Sequence, residues 1–316
     1  MHGGGSVGTI HNLILKHGRE EARRIAGPNS SQLVDLAACV LADESQDFGV
    51  TYSGFCLTSL PHKRLNDDQR WVREQGRVSL LVEPGCERRR DGTFVPIGVP
   101  FGAKARLILI YLQTEALRNR SREVELGKSM NDWLGRLGIE AGGSTYRAVQ
   151  EQANRISLCR LTFYWSGDQS SGFQKENIVT SGINMSSRDS IQDSLWKSTV
   201  LLSETFFNAL TQHPVPVLES AIKSLSSSSM SIDVYIWLAY RLHILSKPQP
   251  ISWPALFAQF GGGFGHIWSF KPKFKVVLDQ ALAVYQDANV TLSDDGIILH
   301  PSPPPVPKKA LAALSR

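Results

Sequence analysis

Arg147, Gln150 and Asn154 recur every three or four residues in "GSTYRAVQEQANRIS", so a helix there sets all three on one arc. Arg, Gln and Asn are the side chains that form paired hydrogen bonds with guanine or adenine edges. Tyr146, Val149, Ala153 and Ile156 make the expected inward stripe, Glu151 shares the outer arc, and Arg155 lies on its flank. Ser144 and Thr145 open the helix, Ser144 with a hydroxyl suited to capping. A second cluster stands in "SFKPKFKVVLDQALAVY", where Lys271, Lys273 and Lys275 precede an apolar helix. Three cations at a helix start oppose the macrodipole and one another. Their placement there makes sense if a phosphate is bound, since lysines contact phosphate as point charges. A third cluster, Arg88, Arg89 and Arg90, falls at the predicted tip of a hairpin; Lys63, Arg64 and Lys104 are weaker candidates. The readings as a solvated helix face, a charged turn and a soluble surface compete with each of these. Trp133, Trp237, Trp253 and Trp268 are expected in the core.

The elements that must position these residues follow from periodicity and breakers. Residues 1–50 predict two helices, Ile10 to Ala26 and Ser31 to Ala42, separated by "GPNSS". "GRVSLLVEPG" and "TFVPIGVP" predict the strands of the arginine-tipped hairpin, turning at Asp91-Gly92. An apolar helix over "GAKARLILIYLQTEALRN" is expected to turn Arg106, Gln113 and Arg118 away from the core. "REVEL" predicts a short strand, "KSMNDWLGRLG" a short helix, then comes the Arg147 helix, and "LCRLTFYW" and "ENIVTSGINM" predict two strands around the loop "SGDQSSGF". "TVLLSETFFNAL" fits either a strand or a helix, a strand running into a turn being favoured. Helix, strand, helix, helix and hairpin then recur: Ile232 to Leu245, Pro250 to Trp253, a helix opened by Pro254, the lysine helix, and two strands around Asp295-Gly296. The expected architecture is therefore α+β, two tandem winged-helix domains with a short helical N-terminal extension. Its divisions are residues 1–50, residues 51–190 with the preceding hairpin, residues 191–302, and a Pro-rich basic tail over residues 303–316.

Composition narrows the function classes. Net charge is +5, and Pro61 to Trp165 hold 18 Lys/Arg against 12 Asp/Glu, while residues 191–300 hold 7 against 8. Basic clusters on a balanced background fit a nucleic-acid partner. Four cysteines without a CxxC pair argue against a disulfide framework and a zinc finger. No metal-spaced histidine pair, GxSxG elbow or Walker loop occurs, and "GGGFGH" lacks the Lys-Ser/Thr it would need. Neither an enzyme nor a cofactor is expected, and no leader or membrane span; a cytosolic protein fits.

Several long blocks, "YSGFCLTSLPHKRL", "VSLLVEPG", "GVPFGAKARLILIYLQTEALR", "SREVELGKSMNDWLGRLGI", "YRAVQEQANRIS" and "SIDVYIWLAYRLHILSKPQPISWPALFAQFG", resemble the RepA-type plasmid replication initiators of bacteria. The resemblance runs from about residue 50 to residue 302. It implies winged-helix proteins that bind double-stranded repeats at a plasmid origin, help open the adjacent AT-rich duplex and recruit host DnaA and the replicative helicase. It also implies homodimers that repress their own promoter. The competing reading is a winged-helix transcriptional repressor on an inverted repeat, dimerised through the N-terminal helices.

Overall fold

The structure is a computed structural model and describes residues 7–76, 78–166, 171–176, 178–180, 199–307 and 310. It is a mixed helical and β fold with several small sheets, divided into two compact units. One is continuous, Val50–Pro214; the other joins Met1–Gly49 to Val215–Arg316.

The discontinuous unit begins with α1 (Val7–His17), α2 (Arg19–Ala26) and α3 (Ser31–Leu41), with a 3-10 turn at Pro28–Ser30. The single helix expected over Ile10 to Ala26 is broken at Gly18, whose φ of 77° lies in the left-handed region that favours glycine. β1 (Phe48–Tyr52) then carries the chain across the division.

In the continuous unit follow α4 (Ser53–Leu57), β2 (Trp71–Gln75), β3 (Val78–Glu83), β4 (Cys86–Arg88), β5 (Phe94–Pro96), α5 (Gly102–Arg118), β6 (Glu123–Glu125), α6 (Met130–Arg136), α7 (Gly143–Leu158), β7 (Arg160–Ser166), β8 (Ser171–Glu176), β9 (Thr199–Leu201) and α8 (Glu204–Gln212). Its core helix is α5, buried almost all round: of the three polar residues expected away from the core, Arg118 is exposed, but Arg106 and Gln113 are not. Arg106 is buried and donates to the carbonyls of Leu60 (2.8 Å) and Gly102 (2.9 Å). Gln113 is fully buried, accepts from the Tyr52 amide (2.7 Å) and donates to the Leu109 carbonyl (2.8 Å). These polar groups tie down the incoming chain, which is why they are tolerated inside.

Strand pairing departs from expectation in three places. Val78–Glu83 is no part of the arginine hairpin; it is the second strand of an antiparallel sheet ordered β2-β3-β7-β8. The hairpin is the shorter pair β4–β5, in the register Cys86↔Pro96, Glu87↔Val95 and Arg88↔Phe94. β8 (Ser171–Glu176) starts within the segment expected as a loop and reaches the first residue of the expected return strand, of which only residues 176 and 178–180 fall within the described residues, together with a bridge from Val179 to Leu202. β6 pairs with β9 through buried Val124 and Val200. Both alternatives for "TVLLSETFFNAL" occur in turn: β9 opens the stretch and, in place of the favoured turn, α8 follows, capped by the Ser203 hydroxyl, which accepts from the Phe206 amide (3.2 Å).

Back in the discontinuous unit are β10 (Pro214–Leu218), α9 (Glu219–Ser224), α10 (Ser229–Arg241), β11 (Gln249–Ser252), α11 (Trp253–Phe260), α12 (Ile267–Ala283), β12 (Val290–Ser293) and β13 (Gly296–Leu299). β11, β13 and β12 form an antiparallel sheet in that order. Gly296 permits the close approach, since a Cβ there would stand 2.0 Å from the Ile251 carbonyl oxygen. The C-terminal half of α12 is covered by the N-terminal helices. Ile10, Ala22, Val34 and Ala37 share one cluster with Ala283, and the His11 ring nitrogen Nε2 lies 2.8 Å from the Ala283 carbonyl. The first residues of the Pro-rich tail also pack, with Val306 buried and the Tyr285 hydroxyl donating to the Pro303 carbonyl (2.6 Å).

Candidate nucleic-acid interface

α7 follows α6 after a glycine-bearing turn. Ser129 caps α6, its hydroxyl accepting from the Asp132 amide (3.2 Å), and Gly138, at φ 66°, helps end it. α7 starts one residue earlier than expected: Gly142 holds the cap position, and Ser144 and Thr145 lie inside the first turn. Its buried stripe is Val149, Gln152, Ala153, Arg155 and Ile156. Tyr146, expected inward, is 38% exposed. The stripe is rotated because two polar residues are drawn in by the chain before α5. The Gln152 side chain accepts from the Phe101 amide (2.8 Å), and Arg155 reaches the Val99 carbonyl (3.1 Å).

Arg155 therefore leaves the candidate surface. It is 3% exposed, bonded to Asp67 (3.0 Å) and Glu151 (2.9 Å), with its guanidinium 5.2 Å from the centre of the Phe101 ring. Burial pushes the Asp67 carboxyl up, but hydrogen bonds from Arg155 and Arg64 and their charges outweigh it and hold it below the usual carboxylate range. Glu151 is drawn into the same cluster, with Arg64 3.4 Å away. Gly98 makes room for it, with a left-handed φ of 77° and a position where a Cβ would stand 2.1 Å from the Arg155 Nη1 atom. What α7 presents outward is Ser144, Tyr146 and Arg147, with Thr145, Gln150 and Asn154 half-exposed beside them.

Arg88, Arg89 and Arg90 are exposed at the hairpin tip, as expected. The tip is a tight turn. The Gly92 amide donates to the Arg89 carbonyl (3.0 Å), the Arg89 amide to the Thr93 carbonyl (2.8 Å), and Asp91 accepts from both the amide and hydroxyl of Thr93.

The lysines do not occupy the first turn of their helix. α12 begins at Ile267, four residues before Lys271, so Lys271, Lys273 and Lys275 fall in its second and third turns, where the pull of the helix terminus on an anion has faded. Buried Phe270 holds the extra turn: its ring packs against Phe257, Phe264 and Phe274 at 5.2–5.5 Å between centroids. Lys273 and Lys275 are exposed, and the ammonium groups of Lys271 and Lys275 lie 5.2 and 5.8 Å from the centre of the Trp253 ring. Pro272, inside the helix, has no N–H to give the Trp268 carbonyl.

Three of the four tryptophans expected in the core are buried, but Trp268 is 72% exposed and stacked on His266, the ring centres 5.9 Å apart. It faces outward in the first turn of α12, and only the position of the helix start could have revealed that. Among the described residues no group of His, Cys, Asp and Glu could hold a metal ion, and no helix is long and apolar enough to cross a membrane.

Two solved structures of domains 2 and 3 of RctB, one a selenomethionine derivative, are similar to this chain. The derivative is 11% identical with a TM-score of 0.47, covering 77% of this chain and 94% of that one. The other is 10% identical with a TM-score of 0.46, covering 77% and 93%. A comparison with curated proteins returns no match. Residues 99–254, from the strap before α5 through α7 to α11, match the family model described as plasmid encoded RepA protein.

Proposed function

We propose that this chain is a plasmid replication initiator that binds specific double-stranded repeats at an origin and carries no catalytic activity. The observation that carries the reading is the outer face of α7, where Arg147, Gln150 and Asn154 stand together inside the segment that matches the RepA family. These side chains can form paired bonds to purine edges, and helices are admitted by the major groove. In the other unit, helix, strand, helix, helix and hairpin (α10, β11, α11, α12, β12–β13) with the sheet order β11-β13-β12 support a winged helix. There Lys273, Lys275 and exposed Trp268 on the first half of α12 would meet the phosphate backbone and adjoining bases. In the continuous unit the same order of elements occurs, but β6 joins β9 rather than the β7–β8 hairpin, so a winged helix there would be a modified one. Opening of the adjacent duplex, recruitment of host DnaA and helicase, and a homodimer that represses its own promoter complete the reading that the family supports.

The test is footprinting of the purified protein on DNA flanking its own gene, at moderate salt with competitor DNA. Evenly spaced direct repeats are expected. Protection of a single inverted repeat over the promoter would instead favour a repressor, and no protection would end the reading.

A further inference from the structure

The hairpin Cys86–Pro96 is a separate two-stranded ribbon, joined to no other sheet among the described residues. Its root is fixed to α7 at both ends. On one side, a Cβ at Gly85 would stand 2.2 Å from the Leu158 carbonyl oxygen, so the chain passes directly against the last residue of α7. On the other, the strap at Gly98 and Val99 lies against the Arg155 guanidinium, and the Ile97 amide closes the root on the Gly85 carbonyl (3.0 Å). From Gly85 through the three-residue strand Cys86–Arg88 to the turn at Arg89, the arm projects roughly 13 Å. The turn itself is held by Asp91 and by Gly92 at φ 88°.

Such a ribbon ought to be polar on both faces. Instead Phe94 is 69% exposed, and the register sets it directly across from Arg88, on the same face. Glu87 pairs with Val95 and so lies on the opposite face, while the Asp91 carboxylate is taken up by the turn. An exposed aromatic ring beside three exposed guanidiniums, at the end of a stiff arm anchored on a helix, is suited to nucleic acid. Guanidiniums are drawn to the negative potential of a narrow minor groove, and an apolar wedge can enter and unstack a base step.

We propose that the Cys86–Pro96 hairpin is a minor-groove arm, with Arg88, Arg89 and Arg90 held by the groove and its phosphates and Phe94 wedged at a base step, so that the duplex bends beside the site taken by α7. This inference rests on the DNA-binding reading above. It adds a second contact surface and a change in DNA shape that a helix face alone would not produce.

The experiment measures the bend by fluorescence resonance energy transfer on an end-labelled duplex carrying the footprinted site, with the full-length protein. The unaltered protein should bend the site within the ~20–90° range of wedge-inserting proteins. Phe94→Ala should remove most of the bend and keep the footprint, and Phe94→Leu, which retains an apolar wedge, should restore it. Replacing Arg88, Arg89 and Arg90 by Ala should lower the slope of log affinity against log salt by up to about three. Netropsin, which occupies the minor groove, should compete with the bend. Equal bending by Phe94→Ala, or an unchanged salt slope in the arginine variant, overturns the arm while leaving site binding intact. Failure of the unaltered protein to bind the site overturns the initiator reading and the arm together.

Discussion

Arg147 and Arg155 lie two turns apart on α7, and their surroundings give them different work. Arg147 is exposed, its guanidinium Nε 3.4 Å from the Gly143 carbonyl of its own helix. Arg147→Ala should leave the melting temperature within error of the unaltered protein and relax preference for the cognate site by about 1–3 kcal/mol, read by competition between cognate and mutated duplexes. Arg155→Ala strips charged hydrogen bonds from Asp67, Glu151 and Val99. The two carboxylates keep partial access to water, so the cost should be about 1–3 kcal/mol of stability, read by urea unfolding. A loss of sequence preference in Arg155→Ala at unchanged stability would put that residue back at the interface. The helical wheel separates these two arginines only weakly, because Gln152 and Arg155 are drawn inward by a strap from another part of the chain. Spacing along α7 contains no record of that strap.

A second residue-scale expectation concerns His62. Burial first, and then the charges of Arg106 and Arg73, hold its ring well below the usual imidazole range. The folded protein thus keeps His62 neutral where the unfolded chain, titrating near ~6.5, takes up a proton. Stability is complete above that value and declines as pH falls below it, because the unfolded state then binds more protons. His62→Gln should flatten the dependence of unfolding free energy on pH between about 7 and 5. An equally steep dependence in that variant would assign the acid sensitivity to another group.

At the scale of elements, most helices are legible because their apolar spacing is strong, as in α5, α10 and α12. Strand pairing is much less so. "REVEL" reads as a strand, yet its partner β9 lies more than seventy residues on, and nothing in a period of two names a partner. β2 escapes notice because "WVREQ" alternates poorly. The α12 start misleads for a different reason: Pro272 resembles a first-turn proline, but buried Phe270 carries the helix a turn further back. Substituting Lys271, Lys273 and Lys275 by Ala should still weaken binding to every duplex and lower the salt slope by up to about three. Loss of the two ammonium contacts to Trp253 should also cost about 0.5–1 kcal/mol each in stability. A salt slope equal to that of the unaltered protein would make this a solvated face. The strap before α5 offers a sharper element-scale test. Gly98→Ala forces a side chain into a left-handed backbone and against Arg155, so it should destabilise the Val50–Pro214 unit by more than the ~1–2 kcal/mol of the backbone term alone. Urea unfolding of that variant beside Arg155→Ala and the double mutant would show whether the two costs share one contact.

For the whole molecule, the basic excess between Pro61 and Trp165 is visible in the sequence, but the home of the first fifty residues is not. Amphipathic spacing shows that α1, α2 and α3 each own an apolar face; it does not say that the face is met by residues near position 283. The result is one unit made of a continuous piece of chain and another made of two distant pieces. Their folding should differ accordingly. A fragment of residues 50–214 contains its own core and should unfold cooperatively by circular dichroism when made alone. A fragment of residues 215–316 lacks Ile10, Ala22, Val34 and Ala37, leaves Leu282 and Ala283 uncovered, and loses the His11 contact to the Ala283 carbonyl. It should show a broad, weakly cooperative transition and bind a hydrophobic dye. Adding residues 1–49 as a separate peptide should sharpen that transition and raise its midpoint with peptide concentration, since the peptide binds the folded form. A sharp transition in the 215–316 fragment alone, unmoved by the peptide, would show that α12 needs no cover and that the N-terminal helices only rest on it.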